Sequence, residues 1–210
     1  MSVYPTLKLT YFGIKARAEP IRLALAINDI PFEDERITRE QWVALKPTTP
    51  FGQVPILTVN ESTVIAQSTA ILRYVGKIGP LKLYPEDPLK AAVVDQIISH
   101  IQDLETIFRP SFMEQDLEKR LKIRTELAEK TLPPLLAALD AFIGAQGAGE
   151  FAAGKDVTIA DLIVYQMYSF YSGGAIDGIP TTILDPYVNV QKVVKAVKGH
   201  AAVAKWEAAH

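Results

Sequence analysis

The sequence predicts a mixed α/β domain followed by an all-helical domain, and three observations carry that reading. Strand-like and helix-like segments alternate over roughly the first 80 residues. A stretch with three prolines, GPLKLYPEDPLKAA at residues 79–92, then breaks the pattern as a linker would. Beyond it strand character nearly vanishes and helical spacing of leucines takes over.

LKLTYF, residues 7–12, reads as the first strand. RAEPIRLALAIND follows as a mostly buried helix with Ile21, Leu23, Leu25 and Ile27 among alanines. Pro20 falls in its first turn, where a missing N–H matters least. IPFEDERI predicts a second strand, and a loop or short irregular helix is expected around Trp42 and Leu45. VPILTV, residues 54–59, is a third strand, and Asn60, Glu61 and Ser62 turn it into a fourth ending near Ala66. A helix then runs from about Ser68 to Ile78. The first crossover is long enough for parallel pairing, whereas the last two strands form an antiparallel hairpin, so the sheet is mixed.

In the second half, helices are expected over Ala91–Phe112, with Pro110 as a kink or end, and over Leu117–Phe142. A glycine-bearing loop, AQGAGEFAAG, leads to a strongly apolar helix starting at Thr158. Thr158 with Asp161 three residues later has the capping-box pattern, and Val157 can supply the preceding apolar contact. Two final helices span about Pro186–Val197 and Ala201–Trp206. The domain boundaries expected are 1–82, a linker at 83–90, and 91–210.

Composition narrows the chemistry. A net charge of -2, from 22 Lys and Arg against 24 Asp and Glu, offers no broad basic field for nucleic acid. No polybasic block suggests anionic membranes, and no apolar run approaches the ~18 residues of a membrane span. MSVYPTLKLTYF has no basic segment leading into an apolar one, so no signal peptide is expected and a cytosolic location is. With no cysteine, disulfides, thiolate metal sites and protein-thiol chemistry are excluded. His100, His200 and His210 are too scattered to predict a metal cluster. The sequence also lacks G-x-S-x-G, H-E-x-x-H and a phosphate-binding glycine loop.

Several residues stand out against this background. Tyr11 closes the first strand, where its hydroxyl can donate to an anion and favour the charged form. Lys15 and Arg17 sit where the following helix is expected to begin, although a helix N-terminus disfavours cations. Solvation, capture of a ligand carboxylate and pairing with a partner domain's acid each account for them. In GQVPIL, Pro55 marks a loop-to-strand junction; a cis Val54–Pro55 bond there would present the backbone polar groups of Val54. Ser68 can cap its helix or, with Gln67 and the free N–H groups, bind a carboxylate. Asp103 lies mid-helix, either solvated or directed at a distant ammonium or at Arg17.

Taken in order, LTYFGIKARAEPIRLALA, KPTTPFGQVPIL, IAQSTAILRYVG, LYPEDP and VTIADL resemble the cytosolic glutathione transferases, tyrosine-type and sigma-like, along essentially the whole chain. The resemblance implies a thioredoxin-like domain that binds glutathione, a helical domain that shapes the electrophile pocket, and a homodimer. By that likeness Tyr11 hydrogen-bonds the glutathione sulfur, and Arg17 orients the glutamyl end. Trp42 and Lys46 match residues at the glycyl carboxylate, with Gln53 beside them. Val54, ahead of a cis Pro55, matches the residue that binds the cysteinyl backbone, and Gln67 and Ser68 match the pair at the γ-glutamyl carboxylate. Asp103 matches an acid that reaches the glutamyl ammonium in the neighbouring subunit, and Phe51 an aromatic key inserted into the partner.

The same resemblance implies that Phe12, Ile14, Phe112 and Met113 fall at the electrophile pocket. Gly13 and Ile14 depart from the polar or bulky residues more frequent after the Tyr–Phe pair. Phe112 and Met113 supply no hydroxyl where some classes carry a tyrosine, which argues against assistance to epoxide opening. Glutathione is then a cosubstrate and no permanent cofactor is implied. The reading expected is conjugation of glutathione to hydrophobic electrophiles; the alternatives are a glutathione-dependent isomerase or peroxidase, and a non-catalytic binder of glutathione or hydrophobic ligands.

Overall fold

A computed structural model describes residues 4–210. They form two compact units, one comprising the described residues up to Tyr84 together with Ala201–His210, the other Pro85–His200.

The first unit is built on four strands, β1 (Leu7–Phe12), β2 (Glu33–Ile37), β3 (Ile56–Val59) and β4 (Thr63–Ala66), in the order β2-β1-β3-β4. β1 runs parallel to β2, with Tyr11 opposite Arg36, and antiparallel to β3, with Thr10 opposite Ile56. β3 and β4 make the expected antiparallel hairpin. Asn60 and Glu61, the central pair of the turn that Ser62 N closes on Val59 O at 3.3 Å, both take positive φ, the conformation that matches strand twist. This is the mixed, thioredoxin-like sheet anticipated from the sequence.

The sheet's helices are α1 (Glu19–Ile27), α2 (Arg39–Leu45) and α3 (Ser68–Ile78). Leu9, Ile21, Leu23, Leu25, Leu57, Ile71, Leu72 and Val75 are almost fully buried among them. Each such side chain contributes roughly 1.5–3 kcal/mol of burial. The unit ends where Tyr84 N donates to Gly76 O at 3.1 Å, tying the outgoing chain to α3.

Two boundaries differ from the sequence reading. α4 (Pro88–Met113) begins within the expected linker, because Asp87 accepts from Lys90 N at 2.9 Å and Pro88 takes the first helical position. The last helix, α9 (Ala201–Ala209), belongs to the sheet unit rather than to the helical one. Its Trp206 stacks on Phe32 with ring centroids 5.8 Å apart and donates its indole N–H to Glu19 at 3.0 Å.

The helical unit holds α4, α5 (Leu117–Glu126), α6 (Leu132–Ala145), α7 (Ile159–Ser172) and α8 (Val188–Gly199). Pro110 lies inside α4, which continues to Met113 instead of ending there. The single helix expected over Leu117–Phe142 contains a π-helical turn at Leu127–Thr131, where Leu132 N reaches Leu127 O. Pro133 and Pro134 follow at once. Having no N–H to continue the α ladder, they account for the wider turn. Asp161 answers the start of α7 as anticipated, accepting from Thr158 N at 2.7 Å and Thr158 Oγ1 at 2.8 Å. It also takes Ala152 N at 2.5 Å, so one carboxylate stitches the preceding loop to the helix.

Candidate functional site

A cavity of about 360 Å³ opens in the sheet unit at the end of β1. Tyr11, Phe12, Arg17, Trp42, Lys46, Gly52, Gln53 and Val54 line it. A smaller adjoining recess shares Arg17, Gln53 and Val54 and adds Pro55, Gln67 and Ser68. The candidate residues dispersed along the first 68 positions therefore converge, with three exceptions, Ile14, Lys15 and Phe51.

Each wall has a local cause. β1 is central in the sheet, so Tyr11 leaves its end from a rigid base and is only 7% exposed. Its ring meets Phe12 edge-on at 5.6 Å, and Phe12 in turn meets Trp42 edge-on at 6.1 Å. Trp42 is delivered by α2, a short helix as one of the two expected forms had it, and a regular one. Thr38 N donates to Gln41 Oε1 at 2.7 Å and Gln41 N to Thr38 Oγ1 at 3.3 Å, a complete capping box. The Thr-x-x-Gln spacing was the signal for it in the sequence. Lys46 follows at the C-terminal end of α2, where the helix dipole favours a cation.

Gly52 is a wall that sequence reasoning missed. Its φ of 60° lies in the left-handed region, and a Cβ there would come within 3.7 Å of the Lys46 side chain. The Val54–Pro55 bond beside it is cis. In the recess, Ser68 is the first residue of α3 and Gln67 takes the capping position, so the expected cap at Ser68 is displaced by one residue. Gln67 holds φ 72° and ψ 111°, a conformation rare for a residue with a side chain and one that concentrates at binding sites. The start of α3 thus presents N–H groups to a recess that also contains the Arg17 cation, a combination suited to a carboxylate.

The cations that seemed misplaced at a helix start are not in an α-helix. Ala16–Ala18 is a short 3-10 turn, and α1 begins at Glu19, an acid that suits the dipole. Lys15 pairs with Glu207 of α9 at 3.3 Å. Arg17 lines both the cavity and the recess.

The remaining candidates lie elsewhere. Ile14 is exposed beyond Phe12, and Phe51 is 65% exposed in the turn before Gly52. Asp103 is exposed on α4, in the helical unit. Phe112 and Met113 close α4; Phe112 is half exposed and belongs to an aromatic cluster with Phe108 at 5.1 Å and Phe170 at 6.0 Å. Arg124 lies over Phe112 at 5.3 Å. No helix among the described residues is long and apolar enough to cross a membrane.

Similarity to known proteins identifies the family. Residues 7–77 match the family model described as glutathione S-transferase, N-terminal domain, and residues 102–210 match the one for the C-terminal domain. Glutathione S-transferase 1 of Ascaris suum is 35% identical over 208 residues, covering 96% of this chain and 95% of that protein. The crystal structure of the glutathione S-transferase from Ascaris lumbricoides superposes with a TM-score of 0.81 at 36% identity, covering 98% of this chain and 97% of that one. Prostaglandin synthase D of Nilaparvata lugens gives a TM-score of 0.86 at 31% identity, with 97% and 98% covered.

Proposed function

The chain belongs to the glutathione S-transferase family, and from that premise we propose that Tyr11 activates the thiol of glutathione for attack on hydrophobic electrophiles. One observation carries the reading: the Tyr11 hydroxyl-bearing ring ends a central strand in a cavity whose other walls suit a peptide with carboxylates at both ends.

In this reading Lys46 and Trp42 hold the glycyl carboxylate, with Gln53 beside them. The backbone N–H and C=O of Val54 pair with the cysteinyl residue next to Pro55. Gln67, Ser68 and the start of α3 take the γ-glutamyl carboxylate, and Arg17 orients that end. The cysteinyl sulfur then meets Tyr11. A free cysteine thiol ionises near 8.5 and is mostly protonated at neutral pH. A hydrogen bond to a charged group is worth about 1.5–3 kcal/mol, and one pKa unit corresponds to about 1.4 kcal/mol. One donor aimed at the sulfur is therefore enough to bring a useful thiolate fraction to neutral pH. The thiolate attacks the electrophilic carbon, and the leaving group departs with the bonding pair.

The reactive sulfur arrives with glutathione, in keeping with a chain that has no cysteine of its own. In this reading Phe12 and Ile14 in the sheet unit, and Phe112 and Met113 in the helical unit, are each apolar side chains suited to an electrophile. Phe51 keys a second copy of the chain into a homodimer, in which Asp103 reaches the glutamyl ammonium held by the partner subunit. The likeness to a prostaglandin synthase D supports a second reading, glutathione-dependent isomerisation at the same Tyr11.

Turnover of a chromogenic aryl halide with glutathione, measured for wild type and Tyr11→Phe, tests the first reading. Wild-type turnover that falls sharply in the variant is the expected result. A wild type that is retained on immobilised glutathione yet turns over neither the halide nor a prostaglandin endoperoxide makes the chain a binder. Endoperoxide turnover without halide turnover selects the isomerase.

A further inference from the structure

Arg22 is buried to 1% exposure inside the sheet unit, and its guanidinium faces the segment that joins Tyr11 to Arg17. Nη1 donates to Ile14 O at 2.8 Å, and Nη2 to Phe12 O at 3.4 Å. The same guanidinium is fixed from behind, by Asp34 Oδ1 at 3.0 Å to Nε and by Glu19 Oε2 at 3.2 Å to Nη1. Glu19, itself only 5% exposed, uses its other oxygen to accept the Trp206 indole N–H at 3.0 Å. A second strut runs in parallel: Lys15, in the same segment, pairs with Glu207 on α9.

We propose that α9 is a positioning element for the catalytic segment, acting through the chain Trp206–Glu19–Arg22 on the carbonyls of Phe12 and Ile14. Neither Trp206, Glu19 nor Arg22 lines the cavity. All three act through residues that do. Two carbonyls on one planar guanidinium fix the path of the chain leaving Tyr11, because the donors of that group form a rigid fork. The fork in turn has one orientation only while both carboxylates hold it. Removing the indole N–H leaves Glu19 Oε1 buried without that donor, and the carboxylate re-aims at Arg22. Sub-ångström errors in the placement of a catalytic donor are costly to rate. The role in catalysis rests on the transferase reading above; the mechanical coupling does not.

Trp206→Phe is the direct test, since it keeps an aromatic ring to stack on Phe32 and deletes the N–H. Hydrogen exchange in the ligand-free protein is expected to quicken about tenfold in residues 12–17, with the other strands of the sheet unchanged. With glutathione bound, the ionisation of its thiol, followed by thiolate absorbance, is expected to move upward. kcat/KM for an aryl halide falls about fivefold at neutral pH and returns toward wild type at high pH, while KM for the halide stays constant. A merely structural loss would lower activity equally at every pH. Glu19→Gln, which retains an acceptor for the indole but removes the charge facing Arg22, is expected to give the same pattern and decides the matter if Trp206→Phe does not fold. Unchanged exchange in residues 12–17 in both variants overturns the coupling. Quickened exchange with an unmoved thiol ionisation overturns the positioning role. A wild type without glutathione turnover sinks the transferase reading instead, and leaves the exchange result to judge the coupling alone.

Discussion

Among the described residues each unit buries one carboxylate, Glu19 and Asp161, and the two are satisfied in opposite ways. Glu19 in the sheet unit faces a cation, the Arg22 guanidinium, together with the Trp206 indole. Asp161 in the helical unit is fully buried and is held by neutral donors, two backbone N–H groups and a threonine hydroxyl. Burial pushes its carboxyl up to about 6 against the pull of those three hydrogen bonds. The contrast teaches what each is for. A buried ion pair fixes orientation more than it adds stability, and here it orients the backbone beside Tyr11. A neutral-donor shell closes a loop onto a helix start, and its effect is on folding.

The largest expected effect comes from cutting the first system. Arg22→Ala leaves the buried Glu19 without its cation and Asp34 with Arg36 alone, and is predicted to cost about 3–5 kcal/mol of stability, read as a shift in the denaturant midpoint. A midpoint within ~1 kcal/mol of wild type would mean that the buried pair contributes no more than a surface one.

The second effect is a pH dependence confined to Asp161. Its folded-state carboxyl ionises near 6, above the ordinary value of 3.8, so its contribution is fully present below 3.8 and is lost as pH rises through about 6. That gap of roughly two units corresponds to about 3 kcal/mol. Because other carboxylates titrate in the same range, the measurement is a difference: stability against pH for wild type minus Asp161→Asn. The difference should decline between pH 4 and 6 and then level. A flat difference would remove the distinction between the two buried carboxylates.

How much of this was legible in the sequence follows the same division. The strand ends, the Asn60–Glu61 hairpin and the Thr158–Asp161 cap are local patterns, encoded by residues within a few positions of each other. Most of the cavity residues were legible as well, because the resemblance spans their motifs in order. Glu19 and Arg22 were not singled out, although two charges at i and i+3 in an otherwise apolar helix signal a buried pair. The grouping of α9 with the sheet unit was illegible for a physical reason. AAVAKWEAA has weak amphipathic character, and it docks through the buried Val203 and long-range contacts from Trp206 and Glu207 that no local pattern encodes. The π turn at Leu127–Thr131 was masked by leucine spacings that suit an unbroken helix.

The smallest expected effect separates the two struts of α9. The Lys15–Glu207 pair is half exposed on the lysine side, so Lys15→Ala should cost less than ~1 kcal/mol and leave glutathione turnover within about twofold. A loss as large as that of Trp206→Phe would assign the positioning role to the surface pair instead of the buried chain.

The central claim is that Tyr11 sets the ionisation of the glutathione thiol. Its direct test is a thiolate titration of the bound peptide in wild type and in Tyr11→Phe. The account predicts a thiol ionising at least about one unit below the free value of 8.5 in wild type and returning toward it in the variant, with kcat/KM falling roughly 10–100-fold at neutral pH. A bound thiol that ionises at the same pH in both proteins would contradict it.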